Sequence, residues 1–312
     1  MKKISILIPI FNEESSIKPF YASLSNELKK ITNELKKISF EILFVDDGSI
    51  DNSVGQVKKI MGKDKRIKLI ELSRNFGKES ALTAGIDYAT GNALIPIDVD
   101  LQDPPELIKK MIEKWENGFE VILAKRSDRL SDTKFKRKTA DWFYYIFNIV
   151  SKTKIPQDVG DFRLIDRSVI DALKKLPESE RFMKGLFAWV GFKTTSISYE
   201  RNPRKEGETK FKLGGLINLA TDGITNFSTM PLKIWSYIGI IISLLSLGYG
   251  STIAFKTIVY GTDVPGYSSI FFAITFLGGI QLIGLGILGE YISRTFIESK
   301  RRPSYIVRKI YH

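Results

Sequence analysis

Two long apolar runs lie in the C-terminal third of the chain, residues 235–255 and 268–292, and the first charge inside either is Glu290. At a rise of 1.5 Å per residue, about 20 apolar residues cross a hydrocarbon core of roughly 30 Å. The pattern predicts a pair of membrane-spanning helices joined by a short loop. Two buried helices of a soluble core are the alternative, but soluble folds rarely hold two such runs in close succession.

Upstream the pattern changes. Short apolar, β-branched runs at 4–10, 41–45, 67–72 and 93–97 alternate with stretches at 14–37, 51–61 and 78–89, whose apolar residues recur every three or four positions. Strand and helix in alternation predict an α/β domain, a parallel sheet with helices on both faces. In such folds ligands bind at the carboxyl ends of the strands. Polar residues gather there: Asn12, Glu13 and Glu14 after the first run, Asp46-Asp47-Gly48-Ser49 after the second, and Asp98-Val99-Asp100 after the fourth.

Charge orients the spans. Arg294, Lys300, Arg301, Arg302, Arg308 and Lys309 follow the second span against Glu298 alone, whereas the loop between the spans has Lys256 and Asp263. The positive-inside rule then expects both termini in the cytoplasm. Residues 1–11 lead from a strand-like run straight into polar sequence, so no cleavable signal is expected. In a membrane-anchored chain, the net charge of +12 points to anionic headgroups or a phosphorylated substrate rather than nucleic acid.

Composition excludes several chemistries. With no Cys and a single His, His312, the chain has no thiolate nucleophile, no Cys/His zinc site and no Ser-His pair. A metal would be held by carboxylates, which suits Mg²⁺ or Mn²⁺. Neither G-x-G-x-x-G nor G-x-x-x-x-G-K-[ST] occurs, which disfavours a dinucleotide enzyme and a P-loop NTPase.

Asp98 and Asp100 are therefore the sharpest candidates. Alternate residues of an extended strand point the same way, and paired carboxylates repel unless a cation compensates them. A polar turn ending the strand would explain an isolated D-x-D equally well. Here Asp103-Pro104-Pro105-Glu106 already supplies a helix start, with Asp103 expected as N-cap and Glu106 as its capping-box partner, which leaves Asp98 and Asp100 without a capping job.

In order along the chain come P-I-F-N-E-E, V-D-D-G-S, D-V-D-L-Q-D-P-P-E, G-D-F-R-L, a basic R-K-E-G-E-T-K-F stretch and two spans. This series resembles the inverting GT-A glycosyltransferases that act on polyprenyl phosphates, the bactoprenol glucosyltransferases and dolichol-phosphate mannose synthases. The likeness runs over about residues 4–305. It implies a GT-A, Rossmann-like catalytic domain over 1–211, an amphipathic juxtamembrane helix over 212–231, two transmembrane helices within 232–293 and a basic cytoplasmic tail over 294–312. It further implies a multi-pass protein of the cell's inner membrane with a cytoplasmic catalytic domain.

Position by position, the resemblance assigns Pro9, Asn12, Glu14, Asp46 and Asp47 to the nucleotide. Asp98 and Asp100 match the pair that holds the metal and donor diphosphate, Asp161 an acid proposed as base or acceptor-orienting group, and Arg204 and Lys210 cations of a loop reaching the phosphates. The implied donor is UDP-glucose and the implied acceptor undecaprenyl phosphate, with GDP-mannose, a UDP-hexosamine or a modified pentose donor left open. A processive polysaccharide synthase would need more spans and a Q-x-x-R-W motif, and a scaffold would not need the ordered carboxylates. Residues 133–150, basic then aromatic, and 213–227, apolar on one side, are expected to lie in the membrane interface or to pack in the core. Small-residue rows at Ser246, Gly250 and Ala254, and at Thr275 and Gly279, allow close helix packing within the pair or in a homo-oligomer.

Overall fold

The computed structural model describes residues 1–127, 154, 156, 158–179, 181–200, 228–261 and 266–312. The stretches 133–150 and 213–227, and with them Arg204 and Lys210, lie outside the described residues.

The expected alternation is present as β1 (Lys2–Ile10), α1 (Glu14–Glu34), β2 (Ile38–Asp46), α2 (Ser53–Met61), β3 (Ile67–Leu72), α3 (Lys78–Tyr88) and β4 (Ala93–Pro96). These four strands are parallel. Ile4, Ile6, Ile8 and Ile10 pack against Ile17, Phe20, Leu24 and Leu28 of α1, while Leu7 faces the other side with Leu43 and Val45. Burial on both faces explains why these strands are apolar runs rather than alternations. Helix α3 sits close on β1 because Gly85 has no side chain: a Cβ there would fall 2.0 Å from Leu7 Cδ1.

Beyond β4 the sheet becomes mixed. Helix α4 (Leu107–Glu116), β5 (Val121–Arg126), β6 (Val159–Asp166), α5 (Arg167–Lys174), α6 (Met183–Trp189) and β7 (Thr194–Tyr199) follow. The eight-stranded order is β7-β5-β6-β4-β1-β2-β3-β8. Strand β6 runs antiparallel to β4, pairing Ala93 with Asp166 and Leu94 with Ile165. Continued past the end of β4, that register sets Asp98 opposite Asp161.

The α4 start departs from expectation. Regular helix begins at Leu107 with Glu106 in the cap position and no side-chain cap bond. Asp103 is buried and accepts a hydrogen bond from the Tyr199 hydroxyl. Two prolines in succession delay the helix, because Pro105 has no N–H and restricts the residue before it.

Helices α7 (Met230–Tyr260) and α8 (Tyr267–Ser299) contain both apolar runs and are long and apolar enough to cross a membrane. They are antiparallel neighbours. The Trp235 indole, near the start of α7, packs against Gly284 late in α8, and Tyr291 Oη donates to the Ser228 carbonyl at 2.7 Å. Leu244, Leu245, Leu247, Leu282 and Leu285 are exposed along them.

The segment 294–312, expected as a separate basic tail, holds the end of α8 and then β8 (Val307–Tyr311), which pairs antiparallel with β3 as the sheet's edge. Ser73 N–H donates to Ile306 O at 2.9 Å, and Tyr311 Oη donates to Glu71 at 3.0 Å. Glu298 accepts from Ser179 N–H at 3.0 Å, and Tyr305 Oη donates to Asp87 at 2.8 Å. The chain therefore leaves the sheet domain, runs through the helix pair and returns to the same sheet.

At the amino end of the strands, the buried Glu41 accepts from Ser5 Oγ, from Thr90 N–H and Oγ1 at 2.7 Å each, and pairs with Lys3 at 3.0 Å. Burial pushes its pKa up, but the Ser5, Thr90 and Lys3 hydrogen bonds outweigh it and leave the carboxyl at about 2. Because the folded-state value lies below the unfolded one, this contribution is complete above about pH 4.5 and disappears as pH falls toward 2. It amounts to roughly 3 kcal/mol at neutral pH. Glu41→Gln should lower the melting temperature at pH 7 and flatten its decline below pH 5, measured by circular dichroism in detergent. Equal pH dependence in both proteins would refute the assignment.

Candidate active site

The loops after β1 and β2 are laced together. Asn12 stands in the left-handed region at φ 54°, donates its N–H to Ser49 Oγ at 2.9 Å and accepts Ile50 N–H on its side-chain oxygen at 2.9 Å. Glu14 accepts Asn52 N–H at 3.2 Å, and its own N–H donates to Asp51 at 3.1 Å. Pro9 is half-buried on β1 beside Val45. Asp46 is buried and accepts Ser49 N–H at 3.2 Å; burial raises its pKa despite that bond. The structure thus brings Pro9, Asn12, Glu14, Asp46 and Asp47 to one end of the sheet, with the Asn12 amide oxygen and the Glu14 carboxylate accepting loop backbone N–H groups.

Asp47 turns the other way. It accepts Phe76 N–H at 2.7 Å and Gly77 N–H at 2.9 Å, fixing the loop between β3 and α3. Burial raises its pKa against those two bonds. Gly48 makes the approach feasible: its φ is 72°, and a Cβ would stand 2.5 Å from the Arg74 carbonyl carbon. The loop so held delivers Lys78 as the first residue of α3.

Lys78 is the centre of the site. Its Nζ lies 2.8 Å from Asp98 Oδ2 and 2.8 Å from Asp161 Oδ2. The two carboxylates hold the ammonium firmly charged, outweighing its desolvation. For Asp161, burial acts to raise the pKa, but Lys78 and then Lys184 hold it well below the usual carboxylate range. Asp100 accepts Gln102 N–H at 3.1 Å. Glu79, next in α3, accepts Met183 N–H at 3.1 Å; burial, then the Asp161 charge, pushes its pKa up to about 7. Arg163 lies over the Phe187 ring, 4.2 Å from its centroid, and donates to Gly160 O at 2.7 Å. On this side a cavity of about 260 Å³ is lined by Lys154, Val159, Arg163, Lys184, Phe187 and Phe192, among others.

Asp98 and Asp161 thus meet on Lys78 from the ends of β4 and β6, Asp100 lies two residues beyond Asp98 in the turn, and Arg204 and Lys210 lie outside the described residues. Among those described, no cluster of three or more acidic, His or Cys side chains is built for a metal. Two partly exposed carboxylates at a strand end still fit a hard cation that takes its remaining ligands from substrate phosphates and water. Lys78, Glu79 and Lys184 are not among the residues expected from sequence. The signal for Lys78 was local: a lysine at the first position of a helix opposes the helix dipole and needs compensating acids.

The sequence model described as "Glycosyl transferase family 2" matches residues 5–174. The chain is 49% identical over 310 residues to the prophage bactoprenol glucosyl transferase homolog of Escherichia coli (strain K12), covering 99% of each. It is 49% identical over 308 residues to the bactoprenol glucosyl transferase of Shigella phage SfV, covering 98% of each. Among solved structures, glucosyl-3-phosphoglycerate synthase from Mycobacterium tuberculosis, in complex with Mn²⁺, uridine-diphosphate and phosphoglyceric acid, aligns with a TM-score of 0.48 at 16% identity, over 72% of this chain and 76% of that one. The chain belongs to glycosyl transferase family 2. It is a glycosyltransferase with a GT-A catalytic fold, the class its motifs resemble.

Asp47 is expected to act on catalysis through the Phe76–Gly77 backbone. Asp47→Ala should cut turnover by about 100-fold, the scale of a displaced catalytic group. Asp47→Asn keeps one acceptor but turns its amide toward an N–H donor, so an intermediate loss is expected. Steady-state kinetics on both variants check this; equal activity of Asp47→Ala and wild type would overturn it.

Proposed function

We propose that this enzyme transfers glucose from UDP-glucose to a polyprenyl phosphate, undecaprenyl phosphate in a bacterial membrane, giving a polyprenyl-monophosphate glucose with inversion. The observation that carries the reading is the full-length identity to relatives named bactoprenol glucosyl transferases, combined with two helices fit to cross a membrane. The catalytic unit is taken as residues 1–211 completed by β8, and the helix pair as a membrane hairpin. With six basic residues after the second span, both ends of the chain are assigned to the cytoplasm. Cysteines are absent, so single ones report cleanly: Thr262→Cys should react from outside intact cells and Ser304→Cys should not. The reverse pattern would refute this topology.

In this reading Asp98 and Asp100 hold Mg²⁺ or Mn²⁺ together with the donor diphosphate, the nucleotide lies along the Pro9–Asn12 and Asp46 turns, and Arg204 and Lys210 reach the phosphates. The cation, when bound, offsets the charge that builds on the departing nucleoside diphosphate. Asp98→Asn and Asp100→Asn should each lower transfer by roughly 100-fold or more while leaving the fold intact. Incubation of the full-length protein in vesicles with undecaprenyl phosphate and competing nucleotide sugars, followed by mass spectrometry of the lipid, tests the donor. Product from another sugar nucleotide, with none from UDP-glucose, would replace the donor assignment, and full activity in EDTA would remove the metal.

Asp161 is assigned to orienting the acceptor rather than to general-base catalysis. A phosphate monoester has a second pKa near 6 and needs no deprotonation at pH 7. A carboxylate held far below its ordinary pKa is in any case a weak base. Glu79 titrates near 7 beside it, so the comparison belongs in a Glu79→Gln background. There the defect of Asp161→Asn should stay constant from about pH 6 to pH 8.5. A defect that fades toward high pH would make Asp161 the base.

A further inference from the structure

Lys78 stands where a cation is locally unfavourable, at the first position of α3, and is held there from two directions. Its loop is fixed through the Phe76 and Gly77 amides on Asp47, and its ammonium is shared by Asp98 and Asp161. The two bonded carboxylate oxygens are consequently no further apart than twice 2.8 Å. One carboxylate ends a parallel strand and the other begins an antiparallel one, and among the described residues this ammonium is the group that ties them.

We propose that Lys78 is a positioning residue that sets the separation between the donor-metal carboxylate Asp98 and the acceptor-side carboxylate Asp161, and that its positive charge, held at Oδ2, moderates the affinity of Asp98 for the metal. The inference rests on the assignment of Asp98 to the metal. An inverting displacement brings nucleophile and leaving group to opposite sides of one carbon, so the distance between the elements that hold them controls the rate. A shared ammonium fixes that distance and cancels repulsion between the two acids. Asp98 keeps Oδ1 for a metal while Oδ2 stays on Lys78. Glu79 accepts the Met183 amide and Arg163 donates to Gly160 O, whereas the ion pairs that join Asp98 to Asp161 run through Lys78.

The two functions move in opposite directions when the ammonium is removed, which a purely structural lysine would not do. Lys78→Met should bind Mn²⁺ about tenfold more tightly, because a positive charge is lost from a carboxylate pair. The same variant should lose about 100-fold in kcat with little change in donor KM. Lys78→Arg, which keeps the charge and can still bridge two carboxylates, should recover most of the kcat and return Mn²⁺ affinity toward wild type. Mn²⁺ binding is read by electron paramagnetic resonance on the full-length protein in detergent, and folding by its melting curve.

Unchanged or weaker Mn²⁺ binding by folded Lys78→Met overturns the proposal, as does an Lys78→Arg kcat no better than that of Lys78→Met. Should Lys78→Met fail to fold, Lys78→Gln carries the same two expectations and the same refutation. Wild type that binds no Mn²⁺ with or without nucleotide sugar removes the metal assignment itself, and this proposal with it. Wild-type binding that Lys78→Met leaves unaltered removes only the role of Lys78.

Discussion

Negative charge collected at one end of a sheet is the constraint around which this catalytic domain is arranged. Asp46, Asp47, Asp98, Asp100 and Asp161 all reach the carboxyl ends of the central strands, where parallel strands place whatever follows them. Uncompensated, such a group would be costly to fold. Four of these acids are answered in three ways. Asp46 is satisfied by its own turn, Asp47 by two amides of a neighbouring loop, and Asp98 and Asp161 by a single ammonium. Anchoring the loop through Asp47 is what puts that ammonium in place, so the second DDGS carboxylate acts two links away from the atoms it influences.

Mixed strand direction serves the same end. A wholly parallel sheet would send the start of β6 to the far edge, away from the end of β4. Running β6 antiparallel reverses this and carries Gly160-Asp161 to Asp98. Arg163, two residues on, shares the face with Asp161 and packs its guanidinium on Phe187. The cations Lys154 and Lys184 continue along the adjoining cavity, so Asp161 sits at the edge of a positively charged wall.

Apolar periodicity made β1 to β4 and their helices legible in the sequence, because strands buried on both faces and helices buried on one leave strong patterns. Strands β5, β6, β7 and β8 were not legible. Thr194–Tyr199 alternates weakly on the sheet's outer edge, and Val307–Tyr311 is a basic edge strand that resembles a solvated tail. Within the site, D-x-D and D-D-G-S were visible as turns after strands. Lys78 follows β3 through Arg74-Asn75-Phe76-Gly77, a loop without acids, and its meaning depends on two carboxylates 20 and 83 residues away along the chain, a pairing that only the tertiary fold creates. The capping role expected for Asp103 failed for a comparable reason: tandem prolines delay the helix, and Tyr199 brings a hydroxyl to that carboxylate.

The return of the chain to its own sheet links the two halves of the protein. Strand β8 is joined by backbone hydrogen bonds to β3, and Glu298 at the end of α8 is bound to the Ser179 amide. A chain that starts in this sheet, passes through two antiparallel helices and ends in the same sheet must enter and leave those helices on one side. That constraint agrees with the charge asymmetry but does not depend on it. It also fixes the catalytic domain at both ends of the helix pair rather than by one tether. A second attachment restricts how far the carboxylate cluster can tilt relative to the helix pair.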